Sequence, residues 1–248
     1  DLLRLQAGLE LPVNPAIASP REYHYRSKIT PHFDKPKEGG KPAIGFLKAG
    51  SRREVVDVPQ CPIAMECINE VLPMARKSVY QAVARFKRGA TILLRASEGG
   101  VITNNNAVAC EKVGTLEFHF LAGDFFQNNP FILPLFTDYV ARQASMDGEE
   151  FLVDAYCGSG LFALSLAEKF KKVLGVEVSE TSADWARSNA RSNGISHAEF
   201  LAADAGAIFA QVDFPAEKTA VVIDPPRKGC SMEFLTQLFA FGPGKVVY

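Results

Sequence analysis

The chain has 248 residues, 47% of them hydrophobic and 22% charged, enough for one large or two modest globular cores. No apolar run approaches a membrane span and no basic-then-apolar leader opens the chain, so a soluble, cytoplasmic protein without a membrane partner is expected. The five cysteines, Cys61, Cys67, Cys110, Cys157 and Cys230, are odd in number and lack the spacing of a disulfide framework or a zinc motif, so reduced thiols and no metal site are expected. The net charge of −1 hides an asymmetry: residues 1–120 carry 17 Lys and Arg against 12 Asp and Glu, while residues 121–248 carry 10 against 16. A basic first half beside an acidic second half points to a polyanion partner for the first.

In chain order, residues 1–20 are apolar and proline-rich with no period, and read as a connecting segment. Tyr23 to Phe33 (YHYRSKITPHF) alternates bulky and polar residues like a strand, interleaving rings with Arg26 and Lys28, a pattern that suits unpaired bases and phosphates as well as an ordinary exposed strand. Ile44 to Val58 reads as two short strands, and Pro62 to Lys87 as helical packing broken near Pro73. Its basic positions, Arg76 among them, read as facing solvent or phosphate. Thr91–Arg95, Val101–Thr103 and Leu116–Leu121 read as further strands, with His119 an outward-facing sheet histidine. The first half is therefore a β-rich α+β module.

Phe125-Phe126-Gln127-Asn128-Asn129-Pro130 lies at the junction and precedes an expected helix, Phe131–Gln143. Its two rings and amides suit either a pocket or packing between the modules. Phe151 to Ala163 (FLVDAYCGSGLFA) then reads as a buried strand, an acid (Asp154), a glycine turn (Gly158, Gly160) and a helix from Leu161 to Phe170. That is the opening unit of a doubly wound α/β domain, with a ligand at the turn. Gly158, Gly160 and Ala163 also fit G-x-G-x-x-A, a dinucleotide spacing.

Two features favour S-adenosylmethionine instead: Asp154 just before the loop, and Asp224-Pro225-Pro226 at the end of a later strand. A pyrophosphate on a helix start gains nothing from a carboxylate beside it, whereas a sulfonium cofactor with an ammonium tolerates acids. Lys172–Val178 is the second strand. Glu177 lies 19 residues past Gly158, where an acid can accept from both ribose hydroxyls. A helix follows over Glu180–Asn193. The third strand, Glu199–Asp204, places Asp204 toward the adenine, and the fourth is Thr219–Asp224.

DAYCGSG (154–160), GVE (175–177), AAD (202–204), DPPRKG (224–229) and FFQNN (125–129) together resemble the RNA uracil-C5 methyltransferases, which make 5-methyluridine in transfer and ribosomal RNA. YHYRSKITPHF and VPQCPI resemble segments of their central domain, with wording closest to the transfer-RNA branch. The resemblance implies a Rossmann-like S-adenosylmethionine domain over residues 122–248, incomplete at its C-terminus, preceded by an RNA-binding central domain over residues 1–121. It implies cofactor contacts at Gln127, Tyr156, Gly158, Gly160, Leu161, Glu177, Asp204 and Asp224. Phe125 and Arg227 would face the target uracil. With Arg26 and Lys28 as RNA contacts, the implied partner is the tRNA T-arm, or ribosomal RNA as the alternative, met by a monomer.

The chemistry needs a cysteine thiolate that adds to uracil C6 and a base that removes the C5 proton. In the family these follow a strand like Lys245–Tyr248, so the chain reads as a fragment without its nucleophile, and a non-catalytic RNA-binding module is the alternative. Cys157 and Cys230 read as packing residues. No cysteine precedes Cys61, so no iron-sulfur cluster is expected.

Overall fold

The computed structural model describes residues 2–36, 40–203 and 208–248. A short helix α1 (Leu2–Ala7) is followed by residues 8–20 without helix or strand. The strand expected over Tyr23–Phe33 is instead two two-residue strands, β1 (Lys28–Ile29) and β2 (His32–Phe33), in different sheets. Pro31 between them has no N–H to give a ladder, and its carbonyl accepts from Ile92 N–H at 2.8 Å. β3 (Gly45–Leu47) and β4 (Val55–Asp57) form the expected meander and pair with β2 and β5 (Ala90–Thr91) in the order β4-β3-β2-β5.

The helix α2 (Glu66–Ala82) runs through Pro73, where a break was expected. An interior proline costs roughly 3 kcal/mol. Burial of Ile68, Leu72 and Val79 on one face offsets that, at roughly 1.5–3 kcal/mol for each fully buried side chain. Arg76 is buried on the same face and faces neither solvent nor phosphate. Its guanidinium donates to the Ile44 carbonyl at 2.7 Å, to both Asp57 carboxylate oxygens at 2.9 Å and to the Tyr80 hydroxyl at 2.8 Å. It therefore ties α2 to the meander.

β6 (Leu94–Ser97) joins β1 and β7 (Gly100–Ile102) in a second antiparallel sheet. β8 (Val108–Val113), which polar Cys110-Glu111-Lys112 concealed from the sequence reading, pairs with β9 (Leu116–Leu121) over six residues. After α3 (Leu133–Ala144) the chain builds β10 (Phe151–Ala155), α4 (Leu161–Ser165), β11 (Lys172–Glu177), α5 (Glu180–Ser192), β12 (Ala198–Ala202), β13 (Thr219–Ile223), α6 (Met232–Phe241) and β14 (Lys245–Val247). The five strands are all parallel, in the order β12-β11-β10-β13-β14. α4 stops five residues short of the expected end. α6 begins where the Ser231 hydroxyl accepts Phe234 N–H at 3.2 Å and ends at Gly242, whose φ of +64° suits glycine.

The sheet is covered on both faces. Leu152, Ala220 and Val222 point to the side of α3, α4 and α5. Val153, Val221 and Ile223 alternate to the side of α6. Phe118 and Phe120 of β9 share the first of these cores with Leu152, Phe162 and Ala186, so one core runs across residues 121 and 122.

α5 is also stapled to the edge of β9. Asn189 Oδ1 accepts His119 N–H at 2.8 Å, and its Nδ2 donates to the carbonyls of His119 and Ser159, both at 3.0 Å. Asn193 repeats the pair on Glu117, at 2.9 and 2.7 Å. One helical turn, about 5.4 Å, nearly matches two strand residues, about 6.8 Å, so amides four apart reach strand residues two apart. Among the described residues no helix is long and apolar enough to cross a membrane.

Candidate active site at the carboxyl edge of the parallel sheet

Strand order reverses between β10 and β13, and a crevice at such a point is where open α/β sheets hold ligands. The loop after β10 is tied down by two donors on one acceptor: Tyr156 and Cys157 N–H both reach the Val176 carbonyl at 3.0 Å. Tyr156 takes φ +72°, which an L-residue seldom adopts. Its ring lies 5.5 Å from that of Phe234. The two glycines serve different ends. At Gly160 a Cβ would sit 3.2 Å from Leu164 and 3.3 Å from Ala186, so glycine there lets α4 and α5 approach; at Gly158 a Cβ meets nothing within 4 Å, so the backbone borders open space. Leu161, the first residue of α4, is buried beneath the loop.

Three carboxylates gather at this edge. Glu177, at the end of β11, accepts Gly158 N–H on Oε2 at 3.0 Å and Ser179 N–H on Oε1 at 2.9 Å. Each oxygen keeps a further lone pair for a ligand hydroxyl. Asp224 follows β13 and accepts from Gln127 Nε2 at 3.1 Å. Partial burial raises its pKa, and the Gln127 hydrogen bond opposes the rise. Gln127 thereby joins the junction segment to the strand end. It also borders a cleft of about 270 Å³ whose walls include Ile17, Ile132, Phe136 and Tyr139.

Asp154, the third acid, is fully buried. Its Oδ2 accepts Ala163 N–H at 2.8 Å, and among the described residues Oδ1 has no partner. Burial pushes its carboxyl up to about 7; the Ala163 N–H opposes this, and the charges of Asp224 and Glu177 add to it. Cys157 is also buried, and burial together with Asp154 and Glu177 pushes its thiol well above the usual range, which leaves it inert as a nucleophile at neutral pH. It packs instead: a Cβ on Gly175 would lie 3.0 Å from its sulfur. Cys230 is half-buried against the core of Phe234 and Leu238.

The junction segment divides its two rings. Phe126 is buried and stacked on Phe120 at 4.3 Å between centroids, whereas Phe125 is 72% exposed. The turn before them presents carbonyls that converge, and two cations meet them. Arg95, buried, donates to Ala122 and Asp124, and Lys28 Nζ donates to Gly123 at 2.7 Å and Asp124 at 2.9 Å. Burial first, and then Arg95, lowers the Lys28 pKa to about 8.

Arg26 Nε donates to the Lys28 carbonyl at 2.9 Å. Lys28 thus serves the chain's own backbone, and so does the Nε of Arg26. Alternation alone hides the role of Lys28, because the carbonyls it meets lie 95 and 96 residues on. Replacing Lys28 with Met leaves the Gly123 carbonyl without its side-chain donor and the Asp124 carbonyl with Arg95 alone. It is expected to lower the unfolding free energy by about 1–2 kcal/mol without changing cofactor affinity. A matching loss of cofactor affinity would contradict the bracing role.

Arg227 is exposed on the loop after β13, where Gly229 N–H closes a turn on the Pro226 carbonyl at 2.8 Å. Asp204, expected near the adenine, lies outside the described residues.

A family model described as tRNA (uracil-5-)-methyltransferase matches residues 91–243, which take in the β8–β9 hairpin, the junction and the parallel sheet through α6. The chain belongs to the tRNA (uracil-5-)-methyltransferase family. Among curated members, it is 44% identical to a Schizosaccharomyces pombe protein described as tRNA (uracil(54)-C(5))-methyltransferase, over 99% of this chain and 49% of that one. A Saccharomyces cerevisiae protein of the same description is 36% identical over 96% of this chain and 47% of its own. The chain spans about half the length of these relatives.

Among solved structures, the Pyrococcus abyssi tRNA (uracil-54, C5)-methyltransferase in complex with S-adenosyl-L-homocysteine superposes with a TM-score of 0.71. It covers 98% of this chain and 70% of that one at 20% identity, which establishes a shared Rossmann-like methyltransferase fold.

Proposed function

We propose that this chain is the cofactor-binding and RNA-docking portion of an enzyme that uses S-adenosylmethionine to methylate uridine C5 in the T-loop of tRNA. The observation that carries the cofactor is Asp154. Its carboxylate already occupies the Ala163 N–H at the start of α4, the place a dinucleotide's pyrophosphate would need. An anionic ligand would meet three acids there, whereas a cation relieves their mutual repulsion. The residues therefore fit a sulfonium cofactor and do not fit NAD.

When bound, S-adenosylmethionine supplies an electrophilic methyl group. Glu177 receives the ribose hydroxyls on its two free lone pairs, Gln127 fixes the Asp224 carboxylate, and the open space at Gly158 admits the ligand against the backbone. Phe125 offers a ring face for the target base, and Arg227 offers donors to a uracil oxygen as negative charge gathers there. The part these residues play is to hold and orient the two ligands. Replacing Glu177 with Ala is expected to weaken S-adenosylmethionine binding about 30-fold, or about 2 kcal/mol, by calorimetric titration. Unchanged affinity would remove Glu177 from the ribose.

The basic first half supports the tRNA T-arm as partner, and the unpaired cysteines suit a reducing, cytoplasmic setting. T-arm affinity is expected to fall as salt rises, and salt-independent binding would contradict an electrostatic contact. The activity itself is tested with the protein extended past Tyr248, labelled S-adenosylmethionine and T-arm transcripts, by nucleoside analysis of the product. 5-Methyluridine, lost when the T-loop uridine is replaced by cytidine, is expected; label on another base, or none despite binding of both ligands, would overturn the reading.

A further inference from the structure

We propose that Cys110, Glu117 and His119 form a binding site for a thiophilic divalent cation of the Zn²⁺ kind on the β8–β9 hairpin. The hairpin register sets Cys110 opposite His119, with Glu117 two residues from His119 on the same face. That face is opposite to Phe118 and Phe120, which lie in the core. The thiol, an imidazole nitrogen and a carboxylate oxygen all lie within 4.8 Å of one another. Ligands about 2.0–2.3 Å from a tetrahedral ion stand roughly 3.3–3.8 Å apart, so side-chain rotations of about 1 Å close the site.

The backbone under the three donors is held in advance. Ser97 Oγ accepts Cys110 N–H at 2.9 Å and donates to its carbonyl at 3.1 Å; Asn189 clasps both groups of His119, and Asn193 both groups of Glu117. Their N–H and C=O groups thus point away from the partner strand. This marks Cys110 and His119 as a non-hydrogen-bonded pair, the kind whose side chains stand closest.

Cys110 and His119 are half-buried, so neither pays the full cost of leaving water. One neighbour opposes a cation: Lys112 Nζ lies 3.3 Å from Glu117 Oε1. It also pairs with Glu98, which can keep the ammonium when Glu117 turns to the ion. Burial, with Glu98 and Glu117, raises the Cys110 thiol, and a bound dication reverses that balance.

A soft thiolate and an imidazole beside one carboxylate select Zn²⁺ over Ca²⁺ or Mg²⁺. The site is remote from the proposed methyl transfer in its chemistry but joined to it in structure, because Asn189 continues from His119 to the Ser159 carbonyl in the glycine loop. An ion there cross-links β8 to β9 and stiffens the support of that loop.

Co²⁺ tests this, since a tetrahedral cobalt thiolate shows a sulfur-to-metal charge-transfer band that Zn²⁺ displaces. The chain is expected to give that band at one equivalent and to melt at a higher temperature with Zn²⁺. Cys110→Ser, checked for folding by circular dichroism, is expected to abolish the band and the thermal shift. His119→Gln, as a second variant, is expected to weaken cobalt binding by at least the roughly tenfold that loss of an outer-shell partner costs. No thiolate band in the folded wild-type chain, or a band that persists in both variants because another cysteine carries it, would overturn the proposal.

Discussion

Replacing Asp154 with Asn is expected to stabilise the cofactor-free chain at pH 8, to change it little at pH 5, and to weaken S-adenosylmethionine binding at pH 8. The carboxyl is fully buried, with its pKa pushed up to about 7 by burial and by Asp224 and Glu177. An unfolded aspartate titrates near 4, so between about pH 4 and pH 7 the native state holds a proton that the unfolded state has released. Stability therefore declines as pH rises through that window, because loss of the proton favours the unfolded state, where the carboxylate is solvated, and the decline levels off once the native group also ionises above about pH 7. The ceiling on the decline is about 4 kcal/mol, from about three pH units at 1.36 kcal/mol each.

Asparagine keeps an acceptor for Ala163 N–H and removes the charge. A gain of about 2 kcal/mol at pH 8, roughly 4–8 °C in melting temperature, is the expected result. In the function proposed above, the ionised acid serves the cationic cofactor. Wild-type affinity is expected to rise from pH 6 to pH 8, and the variant's affinity to stay flat. Melting curves and titrations at three pH values read both effects. A wild-type affinity that does not change with pH would contradict a titrating Asp154.

Replacing Asn189 with Ala is expected to cost about 3–4 kcal/mol, since three backbone groups lose a fully buried side chain as partner at about 1–1.5 kcal/mol each. The orphaned groups are the N–H and carbonyl of His119 and the carbonyl of Ser159. They belong to β9 and to the glycine loop, so one side chain holds the hairpin edge and the loop to α5. Aspartate does not rescue the change, because it accepts from His119 N–H but sets a carboxylate against two carbonyls. Denaturant unfolding with an unchanged slope separates a loss of stability from a change in the unfolded state. A loss below about 1 kcal/mol would show that the staple is dispensable.

The parts of this fold that were legible in the sequence are those where one local pattern decides the outcome. Phe151–Leu161 reads as strand, acid, glycine turn and helix because both glycines take positive φ and the acid closes a buried strand. Glu177 is placed correctly at a strand end by spacing alone, and its bonds to Gly158 and Ser179 follow from that position. What was not legible depends on groups distant in the chain. β8 carries three polar residues in a row and becomes a strand only because β9 and Ser97 take up its backbone groups. Missing β8 hid Cys110 from His119.

α2 survives Pro73 because a sheet absent from the local window buries its apolar face. Lys28 carries the charge of an RNA contact but gives its ammonium to carbonyls 95 and 96 residues on. Of the paired Phe125 and Phe126, only the β9 rings decide which is buried.

The central claim is that the acids at the ends of β10, β11 and β13 select a cationic cofactor. The measurement that tests it most directly is a calorimetric titration of this chain, at pH 8, with S-adenosylmethionine and with NAD⁺ under identical conditions. Saturable one-site binding of S-adenosylmethionine, weakened by Glu177→Ala, with no heat from NAD⁺, is the result the account requires. Binding of NAD⁺ at comparable affinity, or binding of S-adenosylmethionine that is indifferent to Glu177, would contradict it.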